Sequence, residues 1–222
     1  MRDIKLVIFD LDGTLVNAYA AINNSFNYVM RELGLKPQSA DTIRRAVGWG
    51  DANLLRPYVR ERNLKRALGL YRNHHKHSLL EYSRLYPYAR HLLRHLKAEG
   101  YKLAVASNRP TEFSLILLRH LRLIDFFDYV LCADKLKYGK PHPQILNKII
   151  RWFAFKKSEV LYVGDMAIDA QAGRRAGVKT VIVTGGSSSN FEIKRERPFR
   201  VISSIDRLMK LLKRRSPSLG FP

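Results

Sequence analysis

The sequence predicts an α/β fold: a mostly parallel, Rossmann-like sheet flanked by helices, with an all-helical cap inserted after the first strand. Three observations point to it. Short apolar runs rich in Val, Ile and Leu recur along the chain and read as strands buried on both faces. From residue 88 onward these runs alternate with helical patterns, the rhythm of βαβ units. Between the first run and that rhythm lies a helical stretch with no convincing strand. The expected organisation is a core built from 1–15 and 87–222, a helical cap at 16–86, and a frayed end over 213–222.

The first strand is the apolar run 4–9, which ends in Asp10-Leu11-Asp12-Gly13-Thr14. Tyr19, Ile22, Phe26, Val29, Met30 and Leu33 then recur at helical spacing, and Gly34 stops the pattern. A short helix fits 40–47. Gly48-Trp49-Gly50 reads as a flexible turn carrying a large aromatic. Helical sequence continues over 51–82, with breaks expected near Arg62-Asn63 and at Gly69, and Pro87 closes the block. Next come a helix over 88–99, a strand over 102–106, the turn Ser107-Asn108-Arg109-Pro110, and a helix to 121 with Thr111 as its cap. A strand over 129–133 leads to Lys140-Pro141-His142-Pro143 and a helix to 153. A strand over 160–163 runs into Gly164-Asp165, followed by a helix that carries Asp169 and ends at Gly177. Strands over 180–183 and 200–202 and a helix over 205–212 complete the chain.

Composition narrows the classes. Of 222 residues 46% are apolar, enough for a proper core. No apolar run approaches the roughly 18 residues that span a bilayer. The chain enters its first strand almost at once, which leaves no room for a signal peptide. Cys132 is the one cysteine, so no intrachain disulfide can form, and its apolar setting suits a core filler. A cytoplasmic protein with no membrane partner, monomeric or homodimeric, is expected. The net charge of +21 is spread along the whole chain. It would draw in anionic substrates, phosphates included. A nucleic-acid partner is the less favoured reading of it.

The chemistry lies where strands end. In an open parallel sheet, ligands bind outside the carboxyl ends of the strands. Asp10/Asp12, Ser107/Asn108, Lys140 and Gly164-Asp165 each fall at or just after such an end. Asp10 and Asp12, two apart, leave the same face of extended backbone. Three carboxylates converging on one point repel, so a divalent cation should neutralise them, and oxygen-only ligands suit magnesium. Magnesium with lysine, hydroxyl and amide donors is what phosphoryl transfer needs. One aspartate can attack phosphorus while the other exchanges protons with the leaving group and with water.

In this set and order the residues resemble those of the haloacid dehalogenase-like phosphohydrolases, in the helical-cap branch of phosphoglycolate phosphatases and β-phosphoglucomutases. The likeness spans about 4–205. It implies that Asp10 is the nucleophile and a magnesium ligand. Asp12 is implied as acid/base and as a ligand through its carbonyl. Thr14, Ser107 and Asn108 are implied around the phosphoryl group, Thr14 by ordering its loop. Lys140 would steady Asp10, and Asp165 would bind the metal with Asp169 and Gly164 supporting it. Gly48-Trp49-Gly50 becomes the substrate-facing loop of the cap, with Trp49 as its candidate substrate contact. Relatives often carry an acidic residue in place of Asn17 and Ser in place of Met166. Asp12 argues for phosphate over halide, because dehalogenase members lack this second aspartate. A magnesium-dependent phosphatase for small phosphate monoesters is therefore expected, with phosphoglycolate-like compounds first. The alternatives are a β-phosphoglucomutase-type mutase or a basic polynucleotide-binding protein on the same fold.

Overall fold

The computed structural model describes residue 1 and residues 3–212. The frayed end expected at 213–222 lies outside the described residues. The chain runs β1 (Leu6–Phe9), β2 (Val16–Asn17), α1 (Tyr19–Glu32), α2 (Ala40–Ala46), α3 (Asp51–Leu55), α4 (Glu61–Tyr82), β3 (Arg84–Leu85), α5 (Ala89–Ala98), β4 (Lys102–Ser107) and α6 (Thr111–His120). It continues with β5 (Tyr129–Cys132), α7 (Gln144–Phe153), β6 (Val160–Gly164), α8 (Ala167–Ala176), β7 (Lys179–Val183), α9 (Asn190–Arg195), β8 (Arg200–Ile202) and α10 (Arg207–Leu212).

The predicted α/β architecture is present. Six strands form one sheet in the order β5-β4-β1-β6-β7-β8, and every neighbouring pair is parallel. β1 is central, with Phe9 level with Val105 on one side and Val163 on the other. Its residues alternate between two cores, as a strand of period two must. Val7 and Phe9 join the cluster built with α5, α6, α10 and the inserted helices, while Leu6 and Ile8 join the one built with α7 and α8. Cys132 is buried as a core residue, its thiol donating to Ser114 Oγ at 3.3 Å. Among the described residues no helix is long and apolar enough to cross a membrane.

Several local expectations are corrected. Residues 16–86 do contain strand: β2 and β3 pair antiparallel, Val16 with Leu85 and Asn17 with Arg84. The chain therefore leaves the core and returns to it side by side. The helical break falls between α3 and α4, at 56–60, and Gly69 sits inside an unbroken α4, where neighbouring packing outweighs its roughly 1 kcal/mol helix penalty. Thr111 does not cap α6. Its N–H and hydroxyl both bond Asp134 Oδ1, and Pro110 holds the cap position. α9 was missed, although Ser189 and Glu192 form the capping box that announces a helix start.

Candidate active site

The site begins in the turn after β1. The Leu11 carbonyl accepts the N–H groups of Leu15 and Val16 at 3.0 and 2.9 Å, which curls the chain tightly. Gly13 sits at φ 84°, in the left-handed region, and a Cβ there would lie 2.1 Å from Asp165 Oδ2. Both the turn and the approach of Asp165 thus require a residue without a side chain.

Asp10 is 5% exposed and faces Lys140. The Lys140 ammonium donates to Asp10 Oδ1 at 2.6 Å, to Asp169 Oδ1 at 2.8 Å and to the Tyr162 hydroxyl at 3.1 Å. An ammonium has three donors, and all three are used. Tyr162 in turn donates to Asp169 Oδ1 at 2.5 Å. Burial pushes the Asp10 carboxyl up to about 7, although the Lys140 charge pulls it down. Asp169 accepts the backbone N–H groups of Asp165 and Met166 on its other oxygen, closing the first turn of α8. Gly164 allows this approach, since a Cβ there would meet the Asp169 carboxyl at 2.4 Å.

Asp165 is fully buried. Thr14 Oγ1 donates to its Oδ1 at 3.2 Å and the Tyr19 hydroxyl to its Oδ2 at 3.4 Å. Burial raises its carboxyl well above the ordinary value, and the charges of Asp169 and Asp10 add to that. Gly186 lies on the other side, where a Cβ would come within 1.8 Å of Oδ2.

Asp12 takes a partner that sequence reading did not foresee. Arg109, 7% exposed, clamps it with two parallel bonds: Nε to Oδ2 at 2.8 Å and Nη2 to Oδ1 at 2.7 Å. Arg109 Nη1 lies 2.8 Å from His75 Nε2 on α4. Arginine cannot accept, so Nε2 must, and the ring proton sits on Nδ1, 3.0 Å from Ser25 Oγ. Burial and then the Arg109 charge push the His75 ring down to about 2, so it stays neutral.

A cavity of about 50 Å³ lies between the inserted helices and this edge of the sheet. Asp10, Asp12, Ser107, Asn108, Arg109 and Lys140 line it from the core, and Ile22, Val47, Gly48, Gly50, Asp51, Leu54, Tyr71 and His75 from the insertion. Met166 completes the wall with Ile168 and packs against Gly48. Arg44 of α2 donates to the carbonyls of Gly185 and Gly186 and lies over the Tyr19 ring, so the insertion is held down on the core.

Three expected substrate contacts are reassigned. Thr14 is absent from the cavity wall and orients Asp165 instead. The Asn108 side chain is spent on backbone: Nδ2 donates to Gly48 and Lys140 carbonyls at 2.8 and 3.0 Å, and Oδ1 accepts the Lys140 N–H at 2.8 Å. It ties two loops together. Trp49 is 46% exposed and lines an outer groove with Arg45 and Ser187. Its flanking glycines, at φ 109° and 87°, present backbone to the cavity and turn the indole outward. Trp49→Ala is accordingly expected to leave kcat/KM for a small substrate within about threefold, as surface changes do; steady-state kinetics would check this.

The donor set fits a divalent cation. One oxygen each of Asp10, Asp165 and Asp169 lie within 4.8 Å of one another. Asp169's oxygens are already occupied by four donors, so Asp10 and Asp165 are the carboxylates left to face a metal. The Asp12 carboxylate belongs to Arg109, so any part it takes falls to its main-chain carbonyl. Four buried or near-buried carboxylates (Asp10, Asp12, Asp165, Asp169) against two cations (Lys140, Arg109) leave two negative charges, which a divalent ion would offset.

Comparison with known proteins agrees with this geometry. The family model described as haloacid dehalogenase-like hydrolase matches residues 7–183. A phosphoglycolate phosphatase of Aquifex aeolicus is 31% identical over 183 residues, covering 82% of this chain and 86% of the relative. One from Nitrosospira multiformis is 31% identical over 221 residues, covering 96% and 97%. A crystal structure from Haemophilus somnus, named as a predicted phosphoglycolate phosphatase, superposes with a TM-score of 0.90 at 28% identity, covering 95% of this chain and 99% of that one. The chain belongs to the haloacid dehalogenase-like hydrolase family.

Proposed function

We propose that this protein is a magnesium-dependent, cytoplasmic phosphatase that hydrolyses small phosphate monoesters, phosphoglycolate-like compounds first, through an aspartyl-phosphate. The observation that carries the reading is a cavity beneath the inserted helices that Asp10, Asp12 and Lys140 line together.

Asp10 Oδ1 is held by Lys140, which leaves Oδ2 as the attacking oxygen. In the first step, entered with Asp12 protonated on a lone pair that Arg109 does not use, a bond forms from Asp10 to phosphorus, the bridging P–O bond breaks, and Asp12 gives that proton to the departing alkoxide. In the second, Asp12 takes a proton from water, the water oxygen bonds phosphorus, and the Asp10–phosphorus bond breaks to release inorganic phosphate. Ser107 and the main-chain amides beside it are the donors for the phosphoryl oxygens. Magnesium, held by Asp10, Asp165 and the Asp12 carbonyl, would supply charge neutralisation for those oxygens. The insertion acts as a cap that excludes bulk water, and the paired β2 and β3 are its hinge.

The roof of inserted helices over the cavity argues against polynucleotide ends. Phosphate release should be measured from phosphoglycolate, sugar phosphates, nucleotides and a phosphorylated oligonucleotide, with magnesium and then with excess chelator. Magnesium-dependent release, highest for phosphoglycolate, is expected. Release that persists in chelator would refute the metal. Isomerisation of sugar phosphates without net hydrolysis would replace the phosphatase by a mutase.

A further inference from the structure

Arg109 has more donors than the described residues use. A guanidinium carries five N–H groups. Two go to Asp12 and one to His75, which leaves one on each terminal nitrogen. The other cation on the cavity wall, Lys140, is saturated by Asp10, Asp169 and Tyr162. Arg109 is therefore the wall cation with hydrogen bonds to give. It is also fixed in place, since α4 holds it through His75 and the β1 turn through Asp12.

Its location specifies what it can meet. In the phosphatase reading, on which this inference rests, Asp12 touches the oxygen that bridges phosphorus and the leaving carbon. Arg109 sits within 2.7–2.8 Å of both Asp12 oxygens, so it lies beside that carbon and whatever the carbon bears. The remaining wall here carries Ile22, Val47, Leu54 and Ile168 beside Tyr71, His75, whose Nε2 is taken by Arg109, and Asp51, whose carboxylate is paired with Arg72. Such a wall leaves sugar hydroxyls unpaired. A carboxylate, by contrast, matches the planar fork of a guanidinium with two bonds. We propose that Arg109 is a specificity residue that receives the carboxylate of substrates whose phosphorylated oxygen is on the carbon next to that carboxylate, the α-phosphooxy acids.

The test compares phosphoglycolate with 2-hydroxyethyl phosphate, which keeps the length and replaces the carboxylate by an alcohol. Both are assayed with magnesium on the full chain in wild type, Arg109→Gln and Arg109→Lys. Arg109 also orients Asp12, so both substrates will slow in the variants, and the readout is the ratio of the two kcat/KM values. In the wild type a ratio of about 100 is expected, and in Arg109→Gln a ratio near one, with the loss for phosphoglycolate chiefly in KM. Arg109→Lys, which keeps the charge but not the fork, should show an intermediate ratio and covers the case in which the Gln variant fails to fold. A variant ratio equal to that of the wild type would overturn the role of Arg109. A wild-type ratio near one, with brisk release from both esters, would overturn carboxylate recognition while the phosphatase stands. Release from neither, or from other esters only, would remove the reading beneath it.

Discussion

Asp10→Asn is expected to abolish phosphate release, lowering kcat by at least about 10⁴-fold, because it removes the proposed nucleophile while nearly preserving shape. The amide oxygen can still accept from Lys140, and Asp169 still balances the Lys140 charge. The fold should therefore persist, with unchanged circular dichroism and a Tm at least equal to that of the metal-free wild type. Stability should hold or rise because burial makes the Asp10 carboxylate costly to ionise, which is why its carboxyl is pushed up to about 7. Single-turnover assays with a chromogenic phosphate ester would check the chemistry. Retained turnover, or loss of the fold together with activity, would contradict the assignment.

Lys140→Met should act on stability as well as on rate. Lys140 is 5% exposed and bridges Asp10 and Asp169, so its removal leaves two carboxylates buried without their counter-charge. Breaking a buried pair in this way costs about 3–5 kcal/mol. In a chain of this size that corresponds to a Tm lower by roughly 6–20 °C. The deficit should depend on pH. Asp10 has a folded-state pKa raised above its unfolded value of 3.8, so the folded chain binds that proton more tightly. The stability this confers is complete below pH 4 and is lost as pH rises through about 7. In the variant, without the Lys140 charge that lowers it, the Asp10 pKa moves higher still. The metal-free variant should therefore fall furthest behind the wild type near pH 7.5 and recover toward it near pH 4.5. Thermal unfolding in chelator at the two pH values would measure this. An equal deficit at both would mean that lost packing, not lost charge, explains the change.

Much of the fold was legible because each signal is local. A strand buried on both faces needs an uninterrupted apolar run, and Leu6–Phe9 and Val160–Val163 supply it. The stripe of Ile22, Phe26, Val29 and Met30 reads as a helix because those positions share one face. β2 and β3 escaped notice because two residues each are too short to show any period. α9 escaped because six residues span less than two helical turns and show little period, although the capping box was visible.

At the site the division is similar. Asp10, Asp12, Ser107, Lys140 and Asp165 stood out because each follows an apolar strand at an edge where parallel strands end together. Their partners did not. Arg109 was read only as part of a turn beside a proline, and only the packing of the β4 turn against the β1 turn brings it to Asp12, 97 residues away. His75 carried a faint signal, a polar residue on the buried stripe of Leu64, Ala67, Tyr71 and Leu79. Tyr162, a hydroxyl inside a buried strand, needed a partner and found two. Trp49 was misread because a large aromatic between two glycines looks aimed, while the direction of a side chain depends on backbone angles that sequence does not state.

By itself, then, the sequence determined the parallel α/β sheet, the mostly helical stretch after its first strand and the strand-end positions of the carboxylates and lysine proposed for the reacting centre, since hydrophobic period and strand-end position are properties of adjacent residues. Only the tertiary structure decided that Arg109 grips Asp12, that Thr14 and Tyr19 hold Asp165, that Asn108 ties loops and that Trp49 faces outward. Those outcomes depend on which distant segments meet and at what distance, and a hydrogen bond exists or fails within a few tenths of an ångström.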